Sequence, residues 1–181
     1  MKRQKLLLHI CCIGCGVYVY KKLAQDYDLT LYFYNPNIWP EEEYNKRLEE
    51  VAKVTRQDNL KLIVGEYNHQ DWLKQVRHLA VEPEGGARCE ICYKIRLAET
   101  AKKAQELSCD IFATTLTISP HKDAVKINKI GLELEKQYNI KYMESDWKKD
   151  GGFNESCKLS RELDLYRQNY CGCEYSIKVK K

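Results

Sequence analysis

The residues of this chain best equipped for chemistry are its cysteines. The segment His9-Ile10-Cys11-Cys12-Ile13-Gly14-Cys15 packs its thiols into one short loop, and Cys89-Glu90-Ile91-Cys92 adds a second Cys-x-x-Cys unit far along the chain. Thiolates are soft ligands for zinc, copper(I) and iron–sulfur iron, and they act only once deprotonated. A closed structural zinc site takes four ligands at tetrahedral corners. An iron–sulfur cluster also takes four thiolates, or three with one iron left open for chemistry. The adjacent side chains of Cys11 and Cys12 diverge, which is unusual in a zinc ribbon and suits two metals sharing one loop. Spacing therefore favours an iron–sulfur cluster, with zinc and buried or redox-active thiols as the alternatives.

The remaining reactive residues divide into two groups. Cys171-Gly172-Cys173 reads as a redox disulfide, because the ring it would close is small, strained and easily reduced. Two further ligands or two free thiols are the competing readings. Cys109 and Cys157 read as small buried apolar residues. His121 is a candidate general acid or ligand, weighed against a capping or packing histidine. Asp146 is a candidate oxygen ligand or acid, against the default of a surface carboxylate. His9 reads as a strand residue tuning the hydrogen bonding of the thiol loop rather than ligating. Most of the thirteen tyrosines should be half-buried packing, with one or two free to stack on a base.

These groups need a scaffold, and apolar runs alternate with amphipathic stretches along the whole chain. Strands are expected at Leu6–Ile10, Leu29–Tyr34, Lys61–Val64, Asp110–Thr115 and Lys141–Met143. Helical periodicity covers Gly16–Gln25, Pro40–Asp58, Gln70–Leu79, Ile91–Leu107 and His121–Tyr138, with a last helix over Cys157–Tyr166. Strands alternating with helices of this length imply right-handed crossovers and an α/β fold with a doubly wound, mostly parallel sheet, Rossmann-like or HUP-like. Pro40 followed by three glutamates marks a helix start, and Ser119-Pro120 reads as an N-cap with proline at the first helical position. If the first strand is central, the cysteine loop and the loop after Asp110–Thr115 meet where the winding reverses, the usual ligand crevice.

The 181 residues suffice for one domain with a real core, read as a 1–145 α/β core and a 146–181 C-terminal helical, cysteine-containing extension. A net charge of +4 permits RNA binding without arguing for it, and Lys178 to Lys181 reads as a solvated tail. No apolar run is long enough to span a bilayer. Nine cysteines is an odd count, which disfavours a disulfide scaffold and suits metal binding in a reducing cytoplasm. Met1 to Lys5 before an apolar stretch imitates a signal peptide, but the segment also carries His9 and the cysteines and is read as the central strand.

In order along nearly the whole chain, the motifs Leu7-Leu8-His9-Ile10-Cys11-Cys12, Tyr34-Asn35-Pro36-Asn37, Arg88-Cys89-Glu90-Ile91-Cys92-Tyr93, Thr114-Thr115-Leu116, Ser119-Pro120-His121-Lys122, Asp146-Trp147-Lys148-Lys149 and Tyr166-Arg167-Gln168-Asn169-Tyr170-Cys171-Gly172-Cys173 resemble the QueH-type epoxyqueuosine reductases. Ile13-Gly14 departs from the Ala-Pro that this family often shows there. The resemblance implies reduction of epoxyqueuosine to queuosine in the wobble nucleoside of tRNA, without cobalamin and with an external electron donor. It implies a 4Fe-4S cluster on Cys11, Cys12, Cys89 and Cys92, with Cys15 as substitute, and a neighbouring mononuclear iron completed by Asp146 or His121. Two rivals stand beside it. One is a tRNA-thiolation enzyme of the ATP-pyrophosphatase type, although no glycine- and serine-rich phosphate loop follows the first strand. The other is a zinc-stabilised nucleic-acid-binding module.

Overall fold

Five parallel strands, β1 (Lys5–His9), β2 (Asp28–Phe33), β3 (Lys61–Val64), β4 (Ile111–Thr114) and β5 (Lys141–Tyr142), form one sheet in the order β3-β2-β1-β4-β5. A computed structural model describes residues 3–177 of the chain, so the basic end expected at Lys178 to Lys181 lies outside the described residues. The central strand is β1, with Leu8 opposite Leu31 on one side and Ala113 on the other. Because it is covered on both faces, β1 reads as an unbroken apolar run rather than an alternating one.

Side chains of the sheet alternate between two buried layers. Leu6, Leu8, Leu31, Phe33 and Ala113 pack against α1 (Ile13–Leu23) and α2 (Glu41–Gln57). Leu7, Tyr32 and Phe112 face the opposite layer, formed by α4 (Ala87–Glu106) and α5 (Ala124–Tyr138). The short helix α3 (His69–Val76) packs on α4, and α6 (Gly152–Glu162) packs on α1. The doubly wound parallel sheet expected from the alternation is present. Winding reverses between β1 and β4, which opens a crevice above their carboxyl ends.

Helix boundaries moved where tertiary contacts outvoted local signals. The first helix begins at Ile13, not Gly16, so Cys12 is its N-cap and Cys15 lies in its first turn. Gly14 looks like a breaker but is there for a close approach: a Cβ would lie 2.7 Å from both the Arg167 Cγ and the Tyr166 carbonyl oxygen. The expected Ser119-Pro120 start is also displaced. Asp123 caps α5, its Oδ1 accepting from the N–H groups of Val125 (2.9 Å) and Lys126 (3.3 Å). A carboxylate at the positive end of the helix dipole competes well for that role. Ser119 Oγ instead accepts from the His121 N–H, leaving His121 on a loop and exposed. The last helix starts five residues before its expected position, at Gly152, and ends at Glu162. Beyond it the chain runs in irregular conformation back across the end of the sheet.

Candidate functional site: a thiol-lined crevice

Two helix N-termini converge at the crevice. Cys12 and Cys15 sit at the start of α1, and Cys89 and Cys92 occupy the first turns of α4, whose N-cap is Gly86. Both helix ends carry partial positive charge, which favours thiolates and anionic groups bound by them. The Cys11 and Cys12 sulfurs are 3.9 Å apart. A cavity of about 320 Å3 adjoins them, walled by Cys11, Cys15, Leu116, His121, Lys122 and Cys171 among others.

The fourth wall is the irregular segment after α6, held across the crevice by the body of the protein. Arg47 donates to the carbonyl of Cys171 (3.2 Å), and the Trp39 N–H donates to the carbonyl of Gly172 (2.8 Å). Arg167 donates to the Gly14 carbonyl at 2.9 Å. Gln168 Nε2 lies 3.0 Å from the Cys12 sulfur and 3.8 Å from that of Cys15.

Charge around the thiols is lopsided. Arg96 is 1% exposed, donates to Asn35 Oδ1 at 2.6 Å, and has a buried Nε without a partner. It faces the thiols of Cys92, Cys11 and Cys171, and among the described residues it forms no ion pair with a carboxylate. A buried cation without an anion is costly, so the thiols opposite it are the evident place for negative charge. Burial works against the charge of Lys122, but Cys171, Cys11 and the Tyr93 phenol outweigh it and hold the ammonium protonated beyond the usual lysine range. Burial pushes the Cys92 thiol up to about 12, with Arg96 pulling the other way. The Cys12 hydrogen bond holds Cys15 below the ordinary thiol value against burial.

Nitrogen donors sit beside three of these sulfurs: Gln168 Nε2 beside Cys12 and Cys15, and the Gly85 N–H 3.2 Å from Cys89. The Trp72 indole N–H is buried without a partner in the apolar cluster that also holds Cys92. Such donors stabilise thiolates whose charge is shared with a metal. Among the described residues no three His, Cys, Asp or Glu side chains close on a single ion. A cluster that takes one thiolate per corner has no need of that convergence, and this donor set suits an anionic, thiolate-bound cluster.

The other expected site residues are placed as follows. His9 is buried; its Nε2 donates to the Tyr34 carbonyl (3.2 Å), which leaves Nδ1 to accept from the Thr114 hydroxyl (2.9 Å). Burial, reinforced by Arg96, pushes its pKa well below the usual value, and neither nitrogen is free to ligate. His121 lines the cavity. Asp146 is not brought to it: the carboxylate pairs with Lys148 at 2.6 Å, and Lys148 in turn reaches the Lys122 carbonyl at 3.5 Å. The expected Cys171–Cys173 disulfide is not formed, and both thiols are free. Gly172, at φ +129°, sends them apart: Cys171 lines the cavity, whereas Cys173 is buried against Trp72, Val76 and Cys92.

Arg47, Arg96, Trp72 and Gln168 were given no role by the sequence, whereas the amine of Lys122 was expected at the crevice and lines the cavity. For Arg96 a signal existed, since Cys89, Cys92 and Arg96 follow the i, i+3, i+7 spacing of one helix face. Arg47 carried none: with Glu43 four residues earlier it looks like an ordinary surface pair, yet its side chain is fully buried.

A parallel α/β sheet whose reversal point is ringed by cysteines and cations defines a thiol-centred α/β protein. The chain belongs to the epoxyqueuosine reductase QueH family, whose description matches residues 6–179. It is 42% identical to the epoxyqueuosine reductase QueH of Streptococcus pyogenes over 184 residues, covering 98% of this chain and 72% of that protein. With the Thermotoga maritima protein of the same name it shares 37% identity, covering 95% of this chain and 90% of that one. Among solved structures, the fold is similar to the U34-tRNA thiolase NcsA from Methanococcus maripaludis with its 4Fe-4S cluster, at a TM-score of 0.64 and 14% identity. That match covers 98% of this chain and 63% of the other, and it shows the fold alone.

Proposed function

We propose that this chain is a single-domain oxidoreductase that converts epoxyqueuosine to queuosine in tRNA, acting without cobalamin and drawing electrons from an external donor. The observation that carries the reading is the crevice at the sheet's reversal point, where the cysteines of both Cys-x-x-Cys regions stand at helix N-termini and the buried Arg96 has no carboxylate partner among the described residues. Cys11, Cys12, Cys89 and Cys92 would hold a 4Fe-4S cluster, with Cys15 as the substitute ligand. When bound, such a cluster supplies electrons singly, and removing the epoxide oxygen as water takes two electrons and two protons.

The protein's own part is to bind, orient and protonate. The segment across the crevice and the 115–122 loop line the cavity from opposite parts of the chain. His121 at the cavity wall would be the proton donor to the departing oxygen. Lys122, held as ammonium, balances negative charge beside it. A neighbouring mononuclear iron, if bound, would act as a Lewis acid toward the epoxide oxygen. Of the two candidate ligands for such an iron, His121 lines the cavity and Asp146 pairs with Lys148.

The test is iron, sulfide and zinc content of anaerobically purified protein, with optical and paramagnetic spectra, alongside turnover of tRNA carrying epoxyqueuosine. Active protein devoid of iron and sulfide sinks the reading. A colourless zinc protein supports the nucleic-acid-binding alternative, and tight ATP binding supports the thiolase alternative suggested by the shared fold. The residues after β1 argue against the latter, since Cys11-Cys12-Ile13-Gly14-Cys15 offers no phosphate cradle.

A further inference from the structure

Gln168 is the one side chain of the closing segment whose amide nitrogen reaches the sulfurs of the cysteine loop, at 3.0 Å from Cys12 and 3.8 Å from Cys15. Its Oε1 is buried with no partner. The amide turns its nitrogen to the sulfurs and its oxygen away from them, the orientation that suits thiolates, which accept hydrogen bonds and donate none. The backbone beside it is fixed independently, because Arg167 donates to the Gly14 carbonyl and Arg47 to the carbonyl of Cys171. Substitution at 168 can thus change the donor without releasing the segment.

We infer that Gln168 is a positioning residue that sets the reduction potential of the thiol-bound cluster, acting through its N–H···S bond to the ligand Cys12, with Cys15 within reach as the substitute; the inference rests on the cluster reading above. The physical basis is charge. A reduced cluster carries one more negative charge than its oxidised form, and that charge is spread onto the thiolate sulfurs. Donors aimed at those sulfurs stabilise the reduced form more than the oxidised one and so raise the potential. Loss of the donor lowers it. A carboxylate in the same place lowers it further, because it donates nothing and repels the sulfurs.

The experiment compares full-length, anaerobically purified wild type with Gln168→Leu and Gln168→Glu, measuring iron and sulfide content and the midpoint potential by spectroelectrochemical titration. The expected result is wild-type cluster content in both variants, with potentials shifted negative in the order wild type, Leu, Glu. Space-filling alone predicts no such order, since Leu and Glu are of similar size. Unchanged potentials in cluster-replete variants overturn the inference while leaving the cluster reading intact. Loss of iron and sulfide from both variants also overturns it, assigning Gln168 to cluster retention. Wild-type protein without iron and sulfide removes the underlying reading instead.

Discussion

Arg96 on α4 and Asn35 after β2 form a buried bridge to the central strand. The guanidinium donates to Asn35 Oδ1 at 2.6 Å, and Asn35 Nδ2 donates to the Ile10 carbonyl at 2.9 Å. Through this bridge the cation beside the thiols is held in register with the residue that precedes Cys11. Its charge has no carboxylate partner among the described residues, so it is positioned for an anionic guest.

Replacing Arg96 with Met should therefore weaken retention of a thiolate-bound cluster. Charge-assisted hydrogen bonds contribute about 1.5–3 kcal/mol, which corresponds to roughly a tenfold loss or more in affinity. Arg96→Lys should recover part of it, because the charge returns without the planar fork. Iron and sulfide retained after mild chelation report the difference; a Met variant that retains both as wild type does would show that the cation is dispensable.

Attachment of the C-terminal segment to α1 should be sensitive at Gly14 and Ser156. The Ser156 hydroxyl is buried within 2.9 Å of the Cys15 carbonyl oxygen and 3.2 Å of that of Gly14. Ser156→Ala should cost about 1 kcal/mol in urea unfolding. Gly14→Ala should cost more, about 1–3 kcal/mol, because one of the atoms that its Cβ meets is the Tyr166 backbone oxygen rather than a side chain that can swing away.

The pair Tyr20–Asp58 supplies a pH signature away from the site. Asp58 Oδ2 accepts from the Tyr20 hydroxyl at 2.7 Å and from Lys21 at 2.9 Å, and these bonds hold its carboxyl below the usual range. The unfolded chain takes up the proton first as pH falls, so the contribution is complete above the ordinary Asp value of about 3.9 and disappears below the folded one. Asp58→Asn should be less stable than wild type at neutral pH by about 1 kcal/mol, with the gap closing in acid. A gap that stays constant from pH 7 to below pH 3 would refute the assignment.

Cys171 and Cys173 should behave as unrelated thiols. Cys173 is 6% exposed in an apolar cluster with Trp72 and Val76, so Cys173→Ser should lower stability by about 1–3 kcal/mol. Cys171→Ser, at the cavity wall, should leave stability within about 0.5 kcal/mol of wild type. Alkylation of denatured protein without reductant should modify both residues; a disulfide found between them would contradict the conformation at Gly172.

Local pattern carried much of the fold. The apolar run Leu6 to Ile10 read as a buried strand, and the helical stretches between strands implied crossovers, so the mostly parallel sheet was legible while its strand order was not. Helix starts were less so. At Gly14 a residue that locally breaks helices was retained for a contact with residues more than a hundred and fifty positions away, and at Asp123 a carboxylate won the cap from Ser119.

The sequence by itself determined that thiols in two Cys-x-x-Cys units lie at element boundaries of an α/β chain, because residue type and short-range periodicity are local properties. Only the tertiary structure decided what surrounds them: Arg96 and Lys122 as the nearby cations, Gln168 as a donor, Trp72 in the apolar cluster with Cys92, Asp146 turned to Lys148, and Cys171 parted from Cys173. The surroundings made by Lys122, Gln168 and Trp72 join segments distant along the chain, and they exist only once the winding of the sheet and the return of the C-terminal segment bring α1, α4 and residues 163–176 to the same end of the sheet; Asp146 with Lys148 and Cys171 with Cys173 are close in sequence, and there the fold decides only how the side chains turn.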